Sequence, residues 1–278
     1  MTSSAAEGPG SSMKDESKAI LSGTVASADV TGTIGSAEEA LSDRLDGSDL
    51  PRQLLGDAYP RLSIFHDKLL REGVLKGIIG PRDQEILWER HILNSAAIIP
   101  FIEEALNEGA QDSVADLGSG GGFPGIIIAS CLHEAHITLI EPMERRVQWL
   151  SEVIDDLKLD NVTILRSRAE DLVDQPTGQR PGHKASDKQR HASATRHTQY
   201  QVLTCRAVAP MRKLAPMALP LILPGGRLVA LKGKSAPQEL EKAKQVIAKS
   251  HGINSQVFEA PVGDGLEPTH VVVVEKRK

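Results

Sequence analysis

A chain of 278 residues with 40% hydrophobic side chains has material for one large core or two small ones. No stretch reaches the roughly 18 consecutive apolar residues of a membrane span, and no signal-peptide apolar run opens the chain; both predict a soluble cytoplasmic protein without a membrane partner. Aromatic residues are only 3%, which excludes a nucleic-acid surface resting mainly on base stacking.

The net charge of -5 is unevenly spread. Residues 1–50 hold nine acids against three bases, so the remainder is close to neutral and any RNA contact must come from a local basic patch. Cys131 and Cys205 stand far apart without metal-ligand or redox spacing, so they read as small buried hydrophobes and no metal is expected.

In chain order, residues 1–48 are rich in Ser, Gly, Ala and acids and predict a disordered acidic tail. Residues 49–110 predict a helical region: Leu54, Leu55, Leu62, Phe65, Leu69 and Leu70 recur at threes and fours, and the habit returns from Asp83 to Ile102. Gly80-Pro81 separates the two stretches, and Asp83 reads as the cap of the second.

From Gln111 onward strands and helices alternate, the pattern of a parallel sheet in an α/β domain over 111–278. Strands are expected at 113–117, 136–140, 161–165, 200–204, 226–231 and 270–275, and helices at 124–132, 143–158, 210–222 and 236–251. A short strand near 255–259 and the last one, joined by a loop alone, predict an antiparallel hairpin closing the sheet. Residues 174–199 interrupt this order as a disordered basic insertion carrying Arg180, Lys184, Lys188, Arg190 and Arg196, either a solvated loop or a phosphate-binding arm.

The most informative segment runs from Val114 to Gly125, an apolar strand end, Asp116, then glycines at 118, 120 and 122 before Phe123-Pro124-Gly125. Glycines there allow positive φ and close approach of a ligand to the backbone. Glu141 follows the next apolar run, 23 residues after Gly118, where a carboxylate at a second strand tip binds ribose hydroxyls. Nicotinamide, flavin and S-adenosylmethionine sites share this logic. Asp116 separates them, because a carboxylate at the loop is unfavourable beside a pyrophosphate and favourable beside an ammonium and a sulfonium. The string looks like the first motif of class I S-adenosylmethionine-dependent methyltransferases, whose Rossmann-like sheet carries an antiparallel last strand; here an N-terminal helical extension precedes it.

Further segments narrow this. Arg90-His-Ile-Leu-Asn-Ser95, Ser167-Arg-Ala-Glu-Asp-Leu172, Cys205-Arg-Ala-Val-Ala-Pro210 and Ala230-Leu-Lys-Gly233, together with the glycine loop, resemble the RsmG family, also called glucose-inhibited division protein B. The resemblance spans about Leu50 to Glu275; Asn94 stands where the family string has aspartate. It implies methylation of ring nitrogen 7 of a single guanine, nucleotide 527, in 16S ribosomal RNA with S-adenosylmethionine, the RNA or the small ribosomal subunit being the partner. By motif, Gly118, Gly120 and Phe123 would line the cofactor, Ala169 and Glu170 would meet adenine, and Arg206 would sit beside the cofactor where substrate enters. Glu141 is assigned to the ribose from spacing. His91 and Lys232 are candidate substrate contacts, at base or phosphate. Ring nitrogen 7 carries a free lone pair, so no general base is expected. Other acceptors, protein or small molecule, remain open, as does a non-catalytic ribosome-associated module.

Overall fold

The computed structural model describes residues 42–173 and 199–278. Most of the tail and nearly all of the basic insertion lie outside those residues. Residues 43–48, which composition assigned to the tail, belong to the fold: the buried Asp43 carboxylate accepts from the amides of Leu45 and Trp88, each at 2.8 Å.

The helical region comprises α1 (Leu50–Leu55), α2 (Tyr59–Lys68), α3 (Asn94–Ala96) and α4 (Ile99–Asn107). Wider π-helical turns at Leu69–Gly73 and Trp88–Leu93 extend α2 and lead into α3. Asp83 is not the residue that opens the second stretch. Gly80 is, and Asp83, inside the Pro81–Ile86 turn, reaches back to accept from the Gly80 amide at 3.1 Å.

Seven strands follow: β1 (Ser113–Leu117), β2 (His136–Ile140), β3 (Val162–Leu165), β4 (Tyr200–Arg206), β5 (Ile222–Lys232), β6 (Gly252–Ala260) and β7 (Thr269–Lys276). Their order is β3-β2-β1-β4-β5-β7-β6; the first five are parallel, and β7 runs antiparallel between β5 and β6. The terminal hairpin expected from sequence is thus present, with the last strand inserted inside the sheet edge. β5 begins four residues earlier than its apolar run, because the chain passes through Pro224-Gly225-Gly226 with a shift in pairing, Tyr200 opposite Ile222 but Val202 opposite Arg227. Gly225, at φ 82°, permits that irregularity.

Between the strands lie α5 (Gly125–Cys131), α6 (Glu144–Leu157), α7 (Ala169–Val173), α8 (Met211–Ala218) and α9 (Ala236–Lys249). The helix expected at 210–222 stops at Ala218 and tightens into a 3-10 turn, since Pro216 and Pro220 supply no amide to continue it. The five-residue α7 was not expected; its polar sequence carries too little periodicity.

Alternation along each strand makes two cores. Val114, Ile137, Leu139, Val202, Val229 and Val271 face the helical region, α5 and α6; Ala115, Leu203, Leu228, Ala230, Val272 and Val274 face α8 and α9. Strands buried on both faces read as nearly continuous apolar runs, and this sandwiching fixes the carboxyl ends of β1 to β5 at one edge. The order reverses direction between β1 and β4, which opens a crevice at their tips.

Candidate cofactor site at the sheet edge

The glycine loop leaves β1 and enters α5 in a conformation only glycine tolerates in several places: φ is 72° at Gly118, 55° at Gly120 and 105° at Gly122. At Gly118 a Cβ would also lie 2.8 Å from Val208, the residue two past Arg206 on the neighbouring strand's exit.

Nearly every amide of this loop is already used. Gly118 and Ser119 donate to the Ile140 carbonyl at 2.8 and 3.2 Å, Gly122 to Ser119 at 2.7 Å, and Gly120 to Glu141 Oε2 at 2.9 Å. At the mouth of α5, Gly125 donates to Asp116 Oδ2 at 3.1 Å, Ile126 to the Gly122 carbonyl and Ile127 to the Pro124 carbonyl. The loop and helix start therefore offer no open nest of N–H groups for a pyrophosphate, and a carboxylate already caps the positive end of the helix. From outside, the Trp149 indole of α6 donates to the Gly121 carbonyl at 3.0 Å. The i, i+4 spacing of Trp149 and Val153 gives only an amphipathic-helix signal, so nothing in the pattern marked the tether.

Asp116 is fully buried. Oδ2 takes the Gly125 amide and Oδ1 has no hydrogen-bond partner among the described residues. Burial, the dominant influence, pushes its pKa up to about 7, against the opposing pull of the Ser119 hydroxyl, the Gly125 amide and Arg206. A buried carboxylate with a vacant oxygen suits a ligand carrying positive charge, which an S-adenosylmethionine ammonium or sulfonium provides and a pyrophosphate does not.

Glu141 is buried at the tip of β2 and spans the site, accepting from Gly120 with one oxygen and from the Met143 amide with the other at 2.8 Å. Each oxygen keeps a further lone pair for a hydroxyl. Ala169 is buried and Glu170 exposed at the start of α7, just past β3. Arg206 ends β4. The expected cofactor residues thus occupy four adjacent strand tips, β3, β2, β1 and β4, spanning roughly 14 Å at sheet spacing.

Arg206 pairs with neither Asp116 nor Glu170 among the described residues. Its guanidinium lies 4.7 Å from the Phe123 ring centroid, Nη1 donates to the Arg90 carbonyl at 3.1 Å, and Nη2 donates to His91 Nδ1 at 2.5 Å. Burial lowers its pKa to about 10, so it remains charged at neutral pH.

The two expected substrate contacts, His91 and Lys232, are both engaged inside the protein. His91 is 9% exposed, packed 4.9 Å from the Phe123 ring centroid and bonded to Arg206, so its ring is turned inward. Lys232 is committed inward as well: Nζ donates to the Ala209 carbonyl at 2.6 Å and pairs with Glu239 at 3.1 Å. A lysine at the end of a strand on the binding edge reads the same in sequence whether its tip meets solvent or a neighbouring helix. Among the described residues no group of three or more His, Cys, Asp or Glu gathers as a metal site, and no helix is long and apolar enough to cross a membrane.

A parallel five-stranded core with an antiparallel seventh strand inserted beside it, a glycine loop with saturated amides and a buried acid at its base define a class I S-adenosylmethionine-dependent methyltransferase. Comparison with known proteins places it further. Residues 58–263 match the model of the family described as rRNA small subunit methyltransferase G, and the chain belongs to that family. It is 53% identical over 242 residues to the ribosomal RNA small subunit methyltransferase G of Bifidobacterium adolescentis, covering 85% of this chain and 97% of that one. The corresponding protein of Bifidobacterium longum is 50% identical, covering 85% of this chain and all of its own length. Among solved structures, a precorrin-6y C5,15-methyltransferase from Geobacter metallireducens overlaps with a TM-score of 0.45 and 12% identity, over 72% of this chain and 98% of that one.

Proposed function

We propose that this protein transfers the methyl group of S-adenosylmethionine to ring nitrogen 7 of guanine 527 in 16S ribosomal RNA, acting in the cytoplasm on the RNA or the small subunit. The observation that carries the cofactor is the unpartnered oxygen of buried Asp116 beneath a loop whose amides are nearly all spent. Membership of the family, and relatives that are ribosomal RNA small subunit methyltransferases, support small-subunit ribosomal RNA as the acceptor.

When bound, S-adenosylmethionine supplies a methyl carbon made electrophilic by its sulfonium. Asp116 would compensate the cationic amino-acid end, while the positive-φ glycines 118 and 120 allow the ligand to lie against the main chain. Glu141 would accept ribose hydroxyls, Ala169 and Glu170 would border the adenine, and Phe123 would present an apolar wall. The bound cofactor would supply that methyl group to guanine nitrogen 7, whose lone pair is free to accept it, with the sulfur leaving as the neutral thioether. No proton is removed, so no base is required of the chain. Its task is in-line alignment, which in favourable cases lowers a barrier by roughly 7 to 11 kcal/mol. Arg206 retains N–H groups beyond its two internal bonds and would orient a cofactor carboxylate or guanine oxygen 6.

The deciding experiment is methyl transfer from labelled S-adenosylmethionine to 16S RNA, free and assembled, from cells lacking this gene, followed by mapping of 7-methylguanosine. Label at the single guanine is the expected result. Tight cofactor binding with no label on either preparation would move the acceptor to a protein or small molecule.

A further inference from the structure

Arg206 reaches the cleft from β4, yet most of what fixes it comes from the helical region. The Arg90 carbonyl and His91 Nδ1 accept from its two terminal nitrogens, and Phe123 of the glycine loop supports both the guanidinium and the imidazole. A guanidinium has only donors, so His91 can accept at Nδ1 only in the neutral tautomer that carries its proton on Nε2. That nitrogen faces Asp83 Oδ2 at 3.5 Å, an electrostatic approach longer than a hydrogen bond, and it has no hydrogen-bond partner among the described residues. Asp83 is itself anchored, by the Gly80 amide at 3.1 Å and by Arg90 Nε at 3.3 Å from its other oxygen. Asp83 and His91 are eight residues apart, two turns along one winding stretch, which brings both to one side.

We infer that His91, with Asp83 facing its far nitrogen, is a positioning residue that holds the Arg206 guanidinium over Phe123 at the cofactor side of the cleft. The inference rests on the cofactor reading given above and replaces a direct role for His91 in RNA contact. Burial and the neighbouring Arg206 charge lower the His91 pKa to about 4, so the neutral acceptor form persists throughout the physiological range. Through this relay the helical extension, which contributes no strand to the sheet, sets the geometry of the β4 tip.

Full-length wild type, His91→Phe and His91→Gln are compared by calorimetric titration with S-adenosylhomocysteine and by steady-state methylation. Phe keeps a ring against Phe123 and removes the acceptor; Gln supplies an oxygen acceptor at a similar reach. The expected result is a roughly tenfold weaker Kd for S-adenosylhomocysteine in His91→Phe, recovery to within about threefold in His91→Gln, and a KM for RNA within about twofold of wild type in both. An unchanged Kd in a folded His91→Phe, or a raised KM for RNA with normal cofactor binding, overturns the inference. Nitrogen-detected NMR of the imidazole gives an answer independent of any variant's folding: Nε2 protonated and Nδ1 bare is expected, and the opposite tautomer overturns it. Wild type that fails to bind S-adenosylhomocysteine at all would instead defeat the cofactor reading, so the two failures are separable.

Discussion

On the β1 and β2 side of the cleft, the glycine loop is held almost wholly by main-chain bonds, closed by Glu141, Asp116 and the Trp149 indole. On the β4 side, Arg206 is held by a succession of side chains that begins outside the sheet, at Asp83 and His91. A wall made of backbone tolerates no added atom but is indifferent to the protonation of distant groups. A wall made of side chains accepts changes of shape and depends on which atom carries a proton. The same cleft therefore has one side limited by sterics and one by hydrogen-bond chemistry.

The contrast can be broken hardest at Gly125. A Cβ there would lie 2.3 Å from Leu139 Cδ2 and 2.6 Å from Asp116 Oδ2. Gly125→Ala is expected to destabilise the fold by about 2 to 4 kcal/mol, read as a lowered urea midpoint, and to abolish cofactor binding.

Asp116→Asn comes next and separates binding from stability. The folded pKa of about 7 lies above the unfolded value near 3.8. The contribution of this group is therefore fully present below about pH 4, falls as pH rises between the two values, and is lost above about 7. Asparagine, which does not titrate, escapes that loss. Relative to wild type, the variant should gain stability by about 2 to 3 kcal/mol between pH 5 and pH 8 in paired urea titrations while its cofactor Kd worsens, most strongly above pH 7. A difference that stays flat with pH would mean Asp116 is ionised in the fold without penalty.

Trp149→Phe removes one hydrogen bond from the outside of the loop. A loss of about 1 kcal/mol and a Kd for S-adenosylhomocysteine weakened by a few-fold are expected, measured by thermal melts and calorimetry. The smallest effect on substrate belongs to Lys232→Met. Its ammonium is engaged with Ala209 and Glu239, so RNA affinity and its salt dependence should hardly change; a shallower salt slope would return Lys232 to the RNA surface.

The strands β1 and β2 were legible to the residue, because short runs of Val, Ile and Leu between polar breaks admit few alternatives. The terminal hairpin was legible as a pairing, though its first strand runs Gly252–Ala260 and not the shorter 255–259. Less legible were features in which tertiary contact overrides local pattern: the Gly225 irregularity inside β5, the brief α7, and the π-helical turns that carry Trp88 and His91. Within the site, spacing located Glu141 at a strand tip beside the loop, since strand length fixes where the chain emerges. The direction of a side chain is not a property of spacing. His91 and Lys232 have their tips engaged by Arg206, Ala209 and Glu239, and Asp83, read as a helix cap, has a second neighbour that no single-turn rule would reveal.

The two tryptophans of the chain occupy different surroundings. Trp88 stacks 4.4 Å from the His66 ring and 5.7 Å from Tyr59. Trp149 instead touches the glycine loop with its indole N–H, beneath the ammonium groups of Lys68 and Lys76, each 5.3 Å from its ring. Light emitted by Trp149 is thus sensitive to any shift of Gly121, and subtracting the spectrum of the Phe variant isolates that signal. The protein carries an intrinsic optical gauge of its own loop, by which arrival of a ligand can be timed without a label.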